Sequence, residues 1–339
     1  MANMNIRTPR FYVDYTNYFL SRGTTQDGNF DVRTGTNLIA PEAGYSEVEL
    51  FDMKPLNAVS FDTTVDSGND HVLVSLDLKS DYKKSFVAIL NHNLDSANGK
   101  FRIATSTSDI TAADMSGATA VTPTEVVNAD AISGSNQFIT PASDGSTIVR
   151  FTENPARYWG IQFEGASSFD GSTKLEIGCI LVGEYYDMPH APDLSVKRSI
   201  AFDKNKIQES LGGQRYSTAT SFGRSGDSTL MSPFVTTAMK DRFFGGRIIY
   251  DLNFSYLNST DVMPTEYHKY NTDDDSVLED IWNKTAGSHI PFIFSIDKDS
   301  EGSNAESEHI FARFAQDSLD MTQVAPDVFD VSMKIEEEF

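Results

Sequence analysis

With 339 residues the chain is long enough for one large domain or two ordinary ones. Hydrophobic residues make up 39% of it, with 23 Phe and 13 Tyr, so a sizeable core is available. The net charge of −22 divides almost equally: 13 basic and 25 acidic residues in 1–195, 14 and 24 in 196–339. Neither half is a basic module, which argues against a nucleic-acid partner.

The opening Met-Ala-Asn-Met-Asn-Ile-Arg-Thr-Pro lacks the apolar core of a secretory signal. No apolar stretch approaches the ~18 residues of a membrane span. The expectation is a chain made in a reducing cytoplasm and staying soluble. Short apolar runs then follow at 11–15, 58–61, 71–78, 85–90, 101–104, 147–151, 158–163 and 174–183. Turn-forming clusters separate them, among them Ser67-Gly68-Asn69-Asp70, Asn98-Gly99, Asp144-Gly145 and Asp170-Gly171. Many strands with polar punctuation predict an antiparallel sandwich or barrel. Residues 105–147 are poor in bulky apolar groups, which predicts a long decorated loop or weak edge strands, with mobility or a partner contact.

Pro189 and Pro192 interrupt the pattern, since proline cannot donate to a ladder. They place a domain boundary there, giving 1–190 and 191–339. In the second part, strands are expected at 196–202, 247–257, 289–296, 309–315 and 327–339. Between them, Val277, Leu278, Ile281 and Trp282 follow a helical period. Acidic residues open that segment, Lys284 closes it and Gly287 follows, predicting a short capped amphipathic helix over 273–287. The fold class is therefore mainly β: two antiparallel sandwich- or barrel-like domains with one short helix in the second. At the far end Phe329, Val331, Met333, Ile335 and Phe339 take one parity, and Asp330, Ser332, Lys334, Glu336 and Glu338 the other. That is a strand with one buried and one wet face.

Chemistry is weakly signalled. Cys179 lies in Ile-Gly-Cys-Ile-Leu-Val, an apolar run, and reads as a small buried hydrophobe rather than a nucleophile. The six histidines, at 71, 92, 190, 268, 289 and 309, show no helical zinc spacing. Asp297, Asp299, Glu301, Gly302 and Glu308 match the spacing of a calcium loop, but both flanks read as strands, so a solvated hairpin loop is the expectation. Ser210-Leu-Gly212-Gly213-Gln-Arg215 reads as a glycine turn. No catalytic, cofactor or metal residue is assigned, and no enzyme activity or cofactor is expected.

Two resemblances add to this. Phe86-Val-Ala-Ile-Leu-Asn-His-Asn-Leu94, Arg157-Tyr-Trp-Gly-Ile-Gln-Phe163 and Leu175-Glu-Ile-Gly-Cys-Ile-Leu-Val-Gly183 make the first half resemble discoidin-like, galactose-binding-type jelly-roll sandwiches. The whole chain is similar to virion proteins of tailed bacteriophages. The stretches that carry this are Pro9-Arg-Phe-Tyr-Val-Asp-Tyr15, Arg198-Ser-Ile-Ala-Phe-Asp203, 208–216, Ile290-Pro-Phe-Ile-Phe294 and Glu336-Glu-Glu-Phe339. The second resemblance implies a structural tail or distal-tail-like protein in a ring or hub, localised to the virion, with copies of itself and other tail proteins as partners. The first implies the alternative, a carbohydrate- or receptor-binding module with a cell-surface glycan as partner.

Overall fold

The computed structural model describes residues 7–21, 28–65, 68, 70–201, 206–218, 234, 247–264, 276–299 and 308–338. The protein is mainly β, and the strand pairings within it are antiparallel. Among the described residues no helix is long and apolar enough to cross a membrane.

Two strands are far longer than their apolar runs. His71–His92 and Gly145–Gly165 pair along most of their length, with register shifts near Arg150 and Ala156. Lys79 adopts a positive φ of 65° where the first of them bends. Each strand therefore contributes to two layers. Residues 71–77 and 158–164 join Asn29–Val32 and Gly99–Ser106 in an outer sheet. Residues 86–92 and 147–151 join Leu175–Asp187, Val59–Phe61 and Pro123–Val127 in an inner sheet. Between the two sheets lies the first core, with Val72, Val74, Leu76, Val87, Ile89, Trp159, Ile161, Ile180 and Val182. This is the sandwich expected for the first half. The Trp159 indole N–H is satisfied inside it by the carbonyl of Ala156, at 2.9 Å.

The inner sheet is apolar on its other face too. Phe86, Ala88, Leu90, Cys179 and Leu181 alternate with the first-core residues and form a second core with Tyr12, Ile290, Ile293 and Phe311. Tyr12, Ile293 and Phe311 belong to a third sheet, and Ile290 lies just before one of its strands. In this sheet Arg10–Val13 pairs with residues 184–187 on one side and with Phe292–Ser295 on the other. His309–Phe314, Val328–Glu337, Arg247–Asn258 and Lys197–Ala201 continue it outward. A third core on its far face holds Phe11, Phe292, Phe294, Phe314, Val331, Met333 and Ile335. The sequence boundary near residue 190 falls just after Leu175–Asp187, a strand that pairs within both the inner and the third sheet.

A helix closes the third core. It is a wide-turned π-helix, Val277–Asn283, whose N-cap Ser276 accepts from the Glu279 N–H at 3.2 Å. Val277 and Ile281 are fully buried. Gly287, at φ 67°, ends the segment by donating to the Trp282 carbonyl. Residues 273–275, expected in its first turn, lie outside the described residues.

Residues 105–147 differ from the expectation of a stretch with little core. They supply buried Ile110, Met115, Val121, Val127 and Ile139. The short strands Thr119–Ala120, Pro123–Val127 and Phe138–Thr140 edge the two sandwich sheets. Isolated small apolar residues, spaced by Ser and Asp, suffice because each fills one hole over a strand.

Charges are buried where the second and third sheets meet. Lys84 is fully enclosed and donates to Thr16 Oγ1 at 2.9 Å, with Glu184 3.9 Å away. Lys284 bridges Glu184 and Asp280 at 2.8 and 2.5 Å. The Asp14 carboxylate accepts from the backbone N–H groups of Asn17 and Val182, at 3.0 and 2.7 Å. Burial pushes its pKa up to about 6, against the pull of Lys84 and these donors.

The C-terminal strand pairs as its alternation predicts, with Val331, Met333 and Ile335 buried and Ser332 and Lys334 exposed. Phe339 lies outside the described residues. Glu337 is the charged exception on the buried face. It shares parity with Ile335, is buried, and accepts from the Ile248 N–H at 3.0 Å. Removing that acceptor leaves a part-buried backbone donor without its carboxylate. Glu337→Ala is therefore expected to lower stability by about 1–3 kcal/mol. Glu338→Ala removes only a half-exposed pair with Arg313 and should cost at most ~1 kcal/mol. Urea denaturation of the two variants checks this, and equal losses would contradict the assignment.

Candidate functional site

The outer sheet presents its other face to a polar groove of about 280 Å³. Period two decides which residues reach it. On 71–78 the even positions enter the first core, so Ser75 and Asp77 face outward. Register then aligns rows across the strands. Asn29, Asp77 and Tyr158 form one row; Asp31, Ser75 and Gly160 form the next.

The second row is capped by residues 107–118, which fold over the sheet. Ile110 and Met115 pack with Leu73 and Ala104. Gly160 makes room for them: a Cβ there would lie 2.6 Å from Met115 Sδ and 3.0 Å from Ile110 Cδ1. The same segment carries Asp109 to the groove edge.

Arg33 organises one wall. Its Nε donates to Ser75 Oγ at 2.7 Å, one terminal nitrogen to Asp31 at 2.7 Å, and the other to Asp109. Asp77 organises the floor. It accepts both Arg157 nitrogens, at 2.6 and 2.9 Å, and the Lys79 backbone and side-chain nitrogens, at 2.9 and 3.2 Å. The Arg157 hydrogen bonds hold the Asp77 carboxyl well below the usual carboxylate range. The Arg157 guanidinium also covers the half-buried Tyr158 ring, at 4.8 Å from its centre. Three carboxylates thus face three cations, and the groove is locally neutral. Carboxylate lone pairs left over on Asp31 and Asp109, with the Asn29 amide, remain available to hydroxyl groups, whereas the buried Ser75 hydroxyl is held by Arg33 and the Asp31 carbonyl.

The residues weighed in the sequence lie elsewhere. Cys179 is a free, buried thiol, and burial pushes its pKa up, which disfavours the thiolate. His92 is enclosed in the inner sheet. Its Nδ1 accepts from the Leu94 N–H at 3.3 Å, so Nε2 carries the proton and donates to Thr147 Oγ1 at 2.9 Å. Burial pushes its pKa down to about 4. His289 meets the Tyr18 hydroxyl at 3.2 Å, and His71 lies 3.4 Å from Glu164. His268 and most of the 297–308 acidic loop lie outside the described residues. Of that loop, Asp297 pairs with Arg7 at 3.3 Å and accepts from the Asp299 N–H. Ser210–Arg215 is the turn of a β-hairpin, with Gly213 at φ 80°.

No protein-family model matches the chain, and none of the curated proteins does. Among solved structures it is similar to chitosan-binding module 1 of a chitosanase/glucanase from Paenibacillus sp. IK-5, at 14% identity and a TM-score of 0.30, covering 46% of this chain and 94% of that one. It is also similar to a carbohydrate-binding module, CBM32-1, of a family 31 glycoside hydrolase from Clostridium perfringens (13% identity, TM-score 0.31, 47% and 94% covered). A third is the CBM32-5 module from Clostridium perfringens, in complex with GalNAc-β-1,3-galactose (12% identity, TM-score 0.31, 48% and 98% covered).

His92 gives the sandwich a pH signature. Its folded pKa lies below the ordinary 6.5, so its contribution to stability is present above pH 6.5 and is lost as pH falls toward 4. The loss over that window is on the order of 3 kcal/mol for one proton. Denaturant unfolding at pH 7 and pH 4.5 should show a smaller acid loss in His92→Gln than in the parent. Parallel losses in the two proteins would rule His92 out as the source.

Proposed function

We propose that the chain binds a neutral saccharide in the groove between Arg33, Asp77, Asp109 and Tyr158, without turning it over. The observation that carries this is the row geometry itself. An aromatic ring stands beside a rigid set of hydroxyl acceptors and donors whose charges are already balanced. A sugar ring has an apolar C–H face for stacking and a hydroxyl rim for hydrogen bonds, and local neutrality favours an uncharged ligand over an ionic one. The volume of about 280 Å³ falls just below the ~300–1,000 Å³ typical of ligand pockets and suits one ring. Binding rather than hydrolysis is supported by Asp77. A glycosidase needs a carboxyl that stays protonated, and the Arg157 fork pushes this one the other way.

A second reading is a structural subunit of a tailed-phage particle, assembled in the host cytoplasm. Besides the resemblance, it is supported by apolar side chains held outward on the hairpin at 206–218. Mass spectrometry of purified particles, with copy number, tests that reading.

The saccharide reading is tested on a glycan array, followed by calorimetry with the glycan retained. Tyr158→Ala is expected to weaken binding at least tenfold, about 1.4 kcal/mol. Gly160→Val should weaken it as well, by lifting residues 107–118 and with them Asp109. Retention of no glycan, or unchanged affinity in Tyr158→Ala, would remove this site from consideration.

A further inference from the structure

The equal split of charge between the halves hides a local asymmetry. Residues 197–218 carry five Lys or Arg and two Asp or Glu, in a chain of net charge −22. At the other extreme, 317–330 carries four Asp and no Lys or Arg. Both segments also present apolar groups to solvent. Ile200, Ile207, Leu211 and Tyr216 are each more than half exposed on the basic segment. Tyr256 is 77% exposed and Val324 48% beside the acidic one.

The fold sets these two surfaces apart. Lys197–Ala201 is an edge strand whose described partner is Arg247–Asn258, with Ala201 opposite Arg247. After four intervening residues begins the hairpin Lys206–Glu209 and Arg215–Thr218, which forms a two-stranded sheet of its own. Its base lies within ~18 Å of Ala201, the reach of the intervening chain. A lone two-stranded hairpin is marginal in water, and apolar residues on it call for a covering surface. Tyr256 lies nine residues further along Arg247–Asn258, roughly 30 Å at ~3.3 Å per residue. There a bulge between Phe254 and Leu257 turns it outward, and its N–H is held by Asp330 at 3.2 Å. Met321–Ala325, carrying Val324, is the local edge, paired with Val328–Glu337 alone among the described strands.

We propose that copies of this chain associate head to tail: the basic segment of one copy, edge strand 197–201 with the hairpin that follows, covers the acidic edge around Tyr256 and Val324 of the next. Opposite charge steers the encounter, and the exposed Leu211 and Tyr216 meet Tyr256 and Val324. In this arrangement each copy offers one surface and covers the other kind on its neighbour, so the contact is heterologous. It propagates to a closed ring or an open filament rather than stopping at a two-fold dimer. The inference extends the assembly reading and is independent of the saccharide groove. Its test reads association in solution, so it can fail while a role in particles stands, and the reverse.

Sedimentation velocity of the full chain at low salt should show oligomers larger than a dimer, dissolving to monomer at 1 M salt as charges are screened. Leu211→Ser with Arg215→Glu silences the hairpin. Asp320→Lys with Val324→Ser silences the edge, and Tyr256→Ser serves as the second edge variant, each checked for an unchanged thermal melt. Each silenced protein should sediment as a monomer. Mixed in equal amounts, a hairpin-silenced and an edge-silenced protein should form a one-to-one dimer and nothing larger, because one good surface remains on each. A parent that is monomeric at low salt, edge variants that assemble like the parent, or a mixture that stays monomeric would each overturn the proposal.

Discussion

The structure depends on one constraint: the inner sheet is apolar on both faces. A sheet of that kind has no wet side, so it must be covered twice. The sandwich covers one face through Val87, Ile89, Ile180 and Val182, and the third sheet covers the other through Phe86, Ala88, Leu90 and Leu181. Among the described residues beyond 184, the strands of the third sheet are built outward from that second face. The outer sheet is different. Its outer face is mixed: Leu73 and Ala104 are covered by Ile110 and Met115, and beside that patch a groove with a balanced set of charges forms. Position in the stack thus separates cores inside from a polar groove on the outermost layer.

The price of covering the inner sheet twice is a set of charges trapped at its rim. Lys84, Lys284, Glu184, Asp280 and Asp14 close the seam between the second and third sheets. Burial lowers the Lys84 pKa, with Glu184 and Asp14 opposing it. For Lys284, burial is outweighed by Glu184 and Asp280, and its pKa is raised. Such pairs add little net stability compared with apolar packing, but removing one partner leaves a buried charge alone, at roughly 3–5 kcal/mol.

Much of the stack is legible in the sequence. Phe86–Leu90 and Ile177–Val182 are continuous apolar runs, the mark of strands buried on both faces, whereas 328–337 alternates because one face is wet. The helix is legible from Val277, Ile281 and Gly287. Even the buried Glu337 was signalled, since it shares the parity of Val331, Met333 and Ile335; its charge hid it. The groove is not legible. Asn29, Asp77 and Tyr158 come from three strands and meet through register, and Asp109 arrives on a segment seated by Gly160. No local spacing encodes such a row. Lys84 is equally opaque: its neighbour Lys83 is solvated, and only the bend of the long strand decides which of the two turns inward.

The N-terminal strand Arg10–Val13 lies between residues 184–187 and 292–295. During synthesis it emerges long before either neighbour exists. Phe292–Ser295 follows it by some 280 residues, which at 5–20 residues per second is a delay of roughly 15 to 60 seconds. The sandwich strands are complete by residue 183, so the first two sheets can close while Phe86, Leu90 and Leu181 still face water. A nascent chain would therefore pass through a stage with a broad apolar face and an unpaired edge, the kind of surface that holding chaperones recognise. Separate expression of the two halves would leave that surface permanently open, and yield would be set by aggregation of an intermediate rather than by the stability of the finished fold.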